Sequence, residues 1–329
     1  MPKFARDTAT KRDEFLGQHT SVPARPQRFL YRNTCVGNSA PIMTIPIIDR
    51  AGPLLERYRI LFCDIWGVVH DGNRAFPEAN AALTRFREQG GTVVLVTNAP
   101  SPAPALEHVL DSKHVARSAW DAIVSSGDLA LTHIRDRGYG NVHRIGPASR
   151  DSAFFRALGL PDAPIETADA IACTGLVNDR TEQAEVYRSL LERAATRGLP
   201  FVCVNPDLAV HVGEDLLPCA GAIATIYAAM GGEVFWAGKP HPVAYGTARQ
   251  LAEARRGSAV RTERILGIGD SIRTDLAAAR NADVDALFIT SGIHRDELMV
   301  DGLLERQRLA ELFQREAPTA VAVAPRIVW

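Results

Sequence analysis

Asp64 closes the apolar run Ile60-Leu61-Phe62-Cys63, and Gly67 three residues later allows a tight turn with main chain close to a ligand. Three further polar stretches share this character: Val96-Thr97-Asn98-Ala99-Pro100, Ala237-Gly238-Lys239-Pro240, and Gly267-Ile268-Gly269-Asp270-Ser271-Ile272-Arg273-Thr274-Asp275. Phosphoryl transfer needs a nucleophile, a cation against the equatorial oxygens and a metal that holds the geometry. Asp64 is a candidate nucleophile able to form an aspartyl-phosphate. Thr97 and Asn98 offer a hydroxyl and main-chain N–H groups to phosphate oxygens, and Lys239 offers a compact positive charge. Magnesium prefers oxygen ligands in an octahedral array and keeps several waters, which Asp64, Asp270, the main-chain carbonyl of Trp66 and, through water, Asp275 could satisfy.

Each stretch alone has a plainer explanation. Gly-Lys-Pro also starts a helix beside an exposed lysine, Thr-Asn also closes a turn, and Asp275 also caps a helix over 275–281. Their occurrence as an ordered set is what carries weight.

The elements that must position them alternate. Strand candidates are Arg59–Cys63, Thr92–Thr97, Asp121–Ser125, Asn141–Ile145, Ala168–Thr174, Pro200–Val204, Glu233–Ala237, Arg264–Gly269 and Asp285–Thr290. Between them, apolar spacing near 3.6 predicts helices over Ala79–Gln89, Thr181–Arg197 and Pro242–Arg256, with a last helix near Asp296–Glu316. Alternation of this kind implies βαβ units and an α/β fold with a doubly wound parallel sheet. Such sheets bind ligands beyond the carboxyl ends of their strands, where all four polar stretches fall. The expected division is a core from 43–136 and 238–329, with a second α/β domain inserted at 137–237 and leaning over the strand ends.

Composition narrows the partners. The 329 residues are 46% apolar and 23% charged, and 37 basic against 38 acidic residues leave a formal net charge of −1. Nothing in that balance points to nucleic acid or a membrane surface. Five cysteines without close pairs fit neither a disulfide framework nor a zinc cluster, and the expected compartment is the cytoplasm. Residues 1–42 hold seven Lys/Arg against three Asp/Glu, with scattered prolines; a disordered extension is expected, with a targeting or docking arm as the alternative. The apolar end, Ala320–Ala324 and Ile327–Trp329, is expected to be a last strand or packed tail, with a homodimer through it as the alternative.

The stretch from Cys63 to Gly72, with Thr97-Asn98-Ala99-Pro100, Gly238-Lys239-Pro240 and Gly269 to Asp275, resembles the four motifs of the haloacid dehalogenase superfamily. Order and spacing resemble its class IIA, which carries a C2-type cap between the second and third motifs and includes nucleotide, sugar-phosphate, para-nitrophenyl phosphate and pyridoxal phosphate phosphatases. The resemblance implies Asp64 as nucleophile, Thr97 and Lys239 on phosphate, and Asp64, the Trp66 carbonyl and Asp270 on magnesium, with Asp275 behind them. It further implies that the cap segment Val204-Asn205-Pro206-Asp207 faces the site, which brings Asn205, Asp207 and nearby His211 into question as substrate contacts; a surface histidine is the alternative for His211.

One position departs from the family. Its phosphatases carry a second aspartate two residues after the nucleophile, where this chain has Trp66, whose indole cannot exchange a proton near neutral pH. A lost general acid typically costs about 10²–10⁴ in rate. The chain is therefore expected to hydrolyse a small phosphomonoester slowly, to use substrates with good leaving groups, or to borrow a donor such as His70 or Asp71. The alternative is a weakly catalytic or non-catalytic binder of a phosphorylated metabolite. A dinucleotide fingerprint at Gly267-Ile268-Gly269 fails for want of its third glycine.

Overall fold

The computed structural model describes residues 45–212, 215–316 and 318–329. The expectations for 1–42 lie outside the described residues. The strands in chain order are β1 (Ile60–Cys63), β2 (Thr92–Thr97), β3 (Ala122–Ser125), β4 (His143–Ile145), β5 (Ile171–Cys173), β6 (Phe201–Cys203), β7 (Ala209–Val212), β8 (Asp215–Pro218), β9 (Val234–Trp236), β10 (Ile265–Gly269), β11 (Asp285–Ile289), β12 (Met299–Val300), β13 (Leu303–Leu304) and β14 (Ala322–Ala324). Six of them form a parallel sheet in the order β14-β11-β10-β1-β2-β3. The chain runs from β1 outward to β3 on one side, then from β10 outward to β14 on the other. β1 and β10 therefore flank the point where strand order reverses, the place where such sheets bind ligands.

Side-chain alternation shows that the sheet is covered on both faces. Ile60, Phe62, Val94, Val96, Ile265 and Phe288 enter one apolar cluster, whereas their neighbours Leu61, Cys63, Val93, Leu95, Leu266 and Leu287 enter another. The first cluster is closed by helices Ser126–Arg137, Pro242–Arg256 and Arg306–Glu316, the second by Pro77–Glu88 and Ala103–Ser112. Burial on both faces is why these strands appear in sequence as unbroken apolar runs rather than alternating ones.

A second parallel sheet, β4-β5-β6-β9, is built from residues within 137–237. One of its faces joins the first cluster through Ala170, Ala172, Val202 and Val204. The other packs Ile171, Cys173, Phe201 and Cys203 under helices Arg188–Thr196 and Ala220–Ala229.

Two departures from the sequence expectation have local causes. The last helix does not run through 296–316. It breaks into Arg295–Leu298 and Arg306–Glu316 around the β12–β13 hairpin, because Asp301 and Gly302 take positive φ of 51° and 78°, a two-residue turn that favours Asp-Gly. The antiparallel pair β7–β8 was likewise not anticipated; it follows the β6 loop, and Val212 and Leu216 on it, with Leu208 just before it, are exposed. Among the described residues no helix is long and apolar enough to cross a membrane.

Candidate active site

The carboxyl ends of β1, β2 and β10 carry three of the four polar stretches. Cys63 pairs with Leu95 on one side and Ile268 on the other, so Asp64, Thr97 and Asp270 leave neighbouring strands at the same edge. All three side chains are buried.

Lys239 arrives from β9 and is clamped by Asn98. The Asn98 carboxamide accepts from the Lys239 N–H at 2.8 Å and donates to the Lys239 carbonyl at 3.0 Å. Its other donor reaches Asp207 Oδ1 at 2.9 Å, and Ser126 Oγ lies 3.4 Å from its oxygen. The Asn98 side chain is thus spent on holding Lys239, which leaves only its main chain to offer a phosphate oxygen. Gly238 cannot be larger, since a Cβ there would collide with Ser126 Oγ and Asn98 Oδ1.

Held in this way, the Lys239 ammonium donates to Asp64 Oδ1 at 2.5 Å and to Asp275 Oδ1 at 2.6 Å. Asp275 meets Lys239 directly and accepts the Ser271 N–H on its second oxygen at 3.1 Å. Burial opposes the charge on Lys239, but Asp275 and Asp64 outweigh it and hold the ammonium well above the usual lysine range. Asp270 accepts the Ile293 N–H at 2.7 Å. Gly67 and Gly292 press on its carboxylate from two sides, where a Cβ on either would collide with Asp270 Oδ2.

The donor set fits a divalent cation. Asp64, Asp270 and Asp275 each bring an oxygen within 4.8 Å of the others, all buried. Three carboxylates face one ammonium, an imbalance of two charges that is expensive in a buried site. Burial and the charge of Asp275 push Asp64 up to about 7 against the pull of Lys239, and burial with the charges of Asp64 and Asp275 pushes Asp270 well above the usual carboxylate range. The Trp66 carbonyl accepts no hydrogen bond among the described residues, leaving its lone pairs available at the same turn.

The sign of these shifts gives an expected result. An acid whose folded pKa lies above its unfolded value binds a proton on folding, so its ionisation weakens the fold as pH rises from about 4 to about 7. Without divalent cations the thermal midpoint is expected to fall across that window. Magnesium at a hundredfold excess over its Kd adds about 2.7 kcal/mol, and its effect on the midpoint should be larger near pH 8 than near pH 5; calorimetry that finds the reverse order excludes the carboxylate cluster as the binding site. Gly292→Ala, which would displace the Asp270 carboxylate, is expected to weaken divalent-cation affinity about tenfold or more while leaving the sheet folded, as read by titration calorimetry and circular dichroism.

The remaining sequence candidates fall as follows. Trp66 is 41% exposed, and its ring packs edge-on against His70 with centroids 5.3 Å apart. His70 is buried, accepts the Gly72 N–H on Nδ1 at 2.9 Å and is lowered to about 4 by burial and Lys113, so it is neutral and tied into the loop. At Asp71, burial is outweighed by the Arg74 and Asn73 N–H groups, which hold the carboxyl below its usual range and make it a poor proton donor. In this arrangement neither His70 nor Asp71 carries a proton it readily gives up near neutral pH. Asn205 is buried and accepts the Asp207 N–H at 3.1 Å, shaping the turn that presents Asp207. His211 lies on β7 opposite Leu216, and its side chain makes no hydrogen bond to the cluster among the described residues. Ser126, Ser271, Gly292 and the Ile293 N–H were not anticipated; only the glycine after the β11 strand end was a signal that could have been used.

A haloacid dehalogenase-like hydrolase model matches residues 61–161 and a HAD-hydrolase-like model matches residues 236–313. A solved haloacid dehalogenase-like hydrolase from Brucella suis is 38% identical, covers 85% of this chain and 100% of its own, and superposes with a TM-score of 0.74. The chain belongs to the haloacid dehalogenase-like hydrolase family, with the parallel core sheet of that class. Among its relatives, an acid sugar phosphatase from Staphylococcus saprophyticus is 23% identical over 74% of this chain and 90% of its own length. The ribonucleotide monophosphatase NagD of Escherichia coli is 25% identical over 71% of this chain and 88% of its own.

Proposed function

We propose that this protein is a cytoplasmic, magnesium-dependent phosphatase of a small phosphomonoester, a sugar phosphate or nucleotide, acting through an aspartyl-phosphate on Asp64. The observation that carries this is the buried ammonium of Lys239 bridging Asp64 and Asp275 beside Asp270. The phosphatase names of the relatives support the reaction class.

In this reading Lys239 and the Thr97 hydroxyl hold the phosphoryl oxygens and Asn98 fixes the main chain from which Lys239 extends. Asp64, Asp270 and the Trp66 carbonyl would hold magnesium, with Asp275 behind them through water and in contact with Lys239. When bound there, magnesium would supply positive charge against the phosphoryl oxygens. Residues 137–237 act as a cap over the strand ends, excluding water and selecting the substrate.

Trp66 favours one competing reading, a binder of phosphorylated metabolites with little turnover. The two separate in an assay of the full chain with magnesium across phosphorylated metabolites and p-nitrophenyl phosphate. Turnover supports the enzyme, whereas metal-dependent ligand binding without phosphate release supports the binder.

A further inference from the structure

From Ile60 to His70 every residue is buried except Trp66, whose side chain is 41% exposed. A large apolar ring left in water beside buried carboxylates calls for a reason, because it is the kind of surface a fold usually covers. Its neighbours fix where it stands. The next residue, Gly67, lies against Asp270, since a Cβ on it would be 2.1 Å from Asp270 Oδ2, and Asp64 is two residues before it. The indole therefore stands at the edge of the carboxylate cluster. Its own loop backs it: a Cβ on Gly72 would come within 2.7 Å of Trp66 Cζ2 and Cη2, and His70 packs edge-on with ring centroids 5.3 Å apart. A ring backed in this way offers its open side as a fixed apolar plane.

An indole in place of a carboxyl has two consequences for the leaving group. The position donates no proton, and His70 and Asp71 in the same loop do not make up for it, so the ester oxygen must depart as an anion. The position also presents an apolar plane to whatever that oxygen carries. An aryl ester suits both. A phenolic oxygen has a pKa of about 10, against about 16 for water, and its ring stacks offset or edge-on against an indole. The ring hangs directly on the ester oxygen, so it stays beside the phosphorus, where a side chain two residues from the nucleophile can meet it. Resting on the aspartyl-phosphate reading and concerning only the alcohol half of the ester, we propose that the substrate is an aryl phosphate, with Trp66 as the side chain that recognises its ring.

The step balances with water alone. Asp64 forms a bond to phosphorus as the bond from phosphorus to the phenolic oxygen breaks, and the electron pair leaves on that oxygen, where the ring delocalises it. Water then attacks the aspartyl-phosphate and restores the Asp64 carboxylate. One proton of that water stays on the released phosphate, and the other goes to the phenolate in solution. An alkyl phosphate would have to expel an alkoxide at the same point, at a cost of about 10²–10⁴ in rate without a general acid.

The test measures kcat/KM of the full chain with magnesium on phenyl phosphate, glycerol phosphate and adenosine monophosphate. Wild type is expected to favour phenyl phosphate over the other two by about 10²-fold or more. Trp66→Leu keeps the main-chain carbonyl and is expected to lower that preference about tenfold, chiefly through KM, whereas Trp66→Phe keeps it within about threefold. Phenylphosphonate has no ester bond to break and reads binding alone. Its inhibition constant should lie below that of methylphosphonate in wild type and Trp66→Phe, and the gap should close in Trp66→Leu. A wild-type preference for glycerol phosphate or adenosine monophosphate, a phenyl preference that Trp66→Leu leaves intact, or an equal loss on all three substrates overturns the proposal and leaves the phosphatase reading standing. Wild-type protein that releases phosphate from none of the three overturns both.

Discussion

Asp64→Asn is expected to abolish phosphate release, with a loss on the order of 10⁴–10⁶ in kcat, the scale seen when a covalent nucleophile is removed. The fold should survive the change. Burial and the Asp275 charge already disfavour the Asp64 carboxylate, and an amide keeps an oxygen for the Lys239 ammonium 2.5 Å away. Thermal midpoints measured without divalent cations should therefore be equal to wild type or higher. That pairing of lost activity with undiminished stability separates a missing nucleophile from a damaged protein; residual turnover within tenfold of wild type would mean that another group attacks phosphorus.

Lys239→Met is expected to have the opposite profile, damaging the fold as well as the reaction. The ammonium is buried between Asp64 and Asp275, and its main chain is clamped by Asn98. Removing one partner of a buried ion network typically costs about 3–5 kcal/mol because the remaining charges are left unpaired. Part of that cost is avoidable if the orphaned carboxylates take up protons, so the loss should grow with rising pH. Unfolding free energies from urea titration of this variant should sit below wild type by that amount near neutral pH and closer to it in acid. Magnesium should recover more stability in the variant than in wild type, since the cation then faces three carboxylates without a competing ammonium. A variant as stable as wild type would show that Lys239 contributes charge to a ligand and nothing to the fold.

The parts of this molecule written in runs of adjacent residues were legible in its sequence. Strands buried on both faces appear as continuous apolar stretches, and each of the nine anticipated strands contains an observed one. The polar residues at the ends of four of them mark the edge where the carboxylates gather. Contacts made by side chains across long separations were not legible. Asn98 is an ordinary strand-end residue in sequence, and its two bonds to Lys239 span 141 positions. Nor does a sequence show that a main-chain N–H at Ile293 serves Asp270, because that depends on the path of the loop after β11. Nor does a sequence show that Asp275, on the short π-turn Ile272–Leu276, also accepts from the Lys239 ammonium 36 positions away. The Asp301-Gly302 turn is different: its signal was present and the helical spacing around it prevailed.

Everything in the proposed chemistry depends on phosphorus passing through Asp64. The direct measurement is rapid-quench mass spectrometry of the protein mixed with magnesium and p-nitrophenyl phosphate, followed by mapping of any phosphorylated peptide. The account predicts one phosphoryl group on the peptide that contains Asp64, formed before free phosphate accumulates and absent in Asp64→Asn. Steady phosphate release from a protein that never carries the group on that peptide would contradict it.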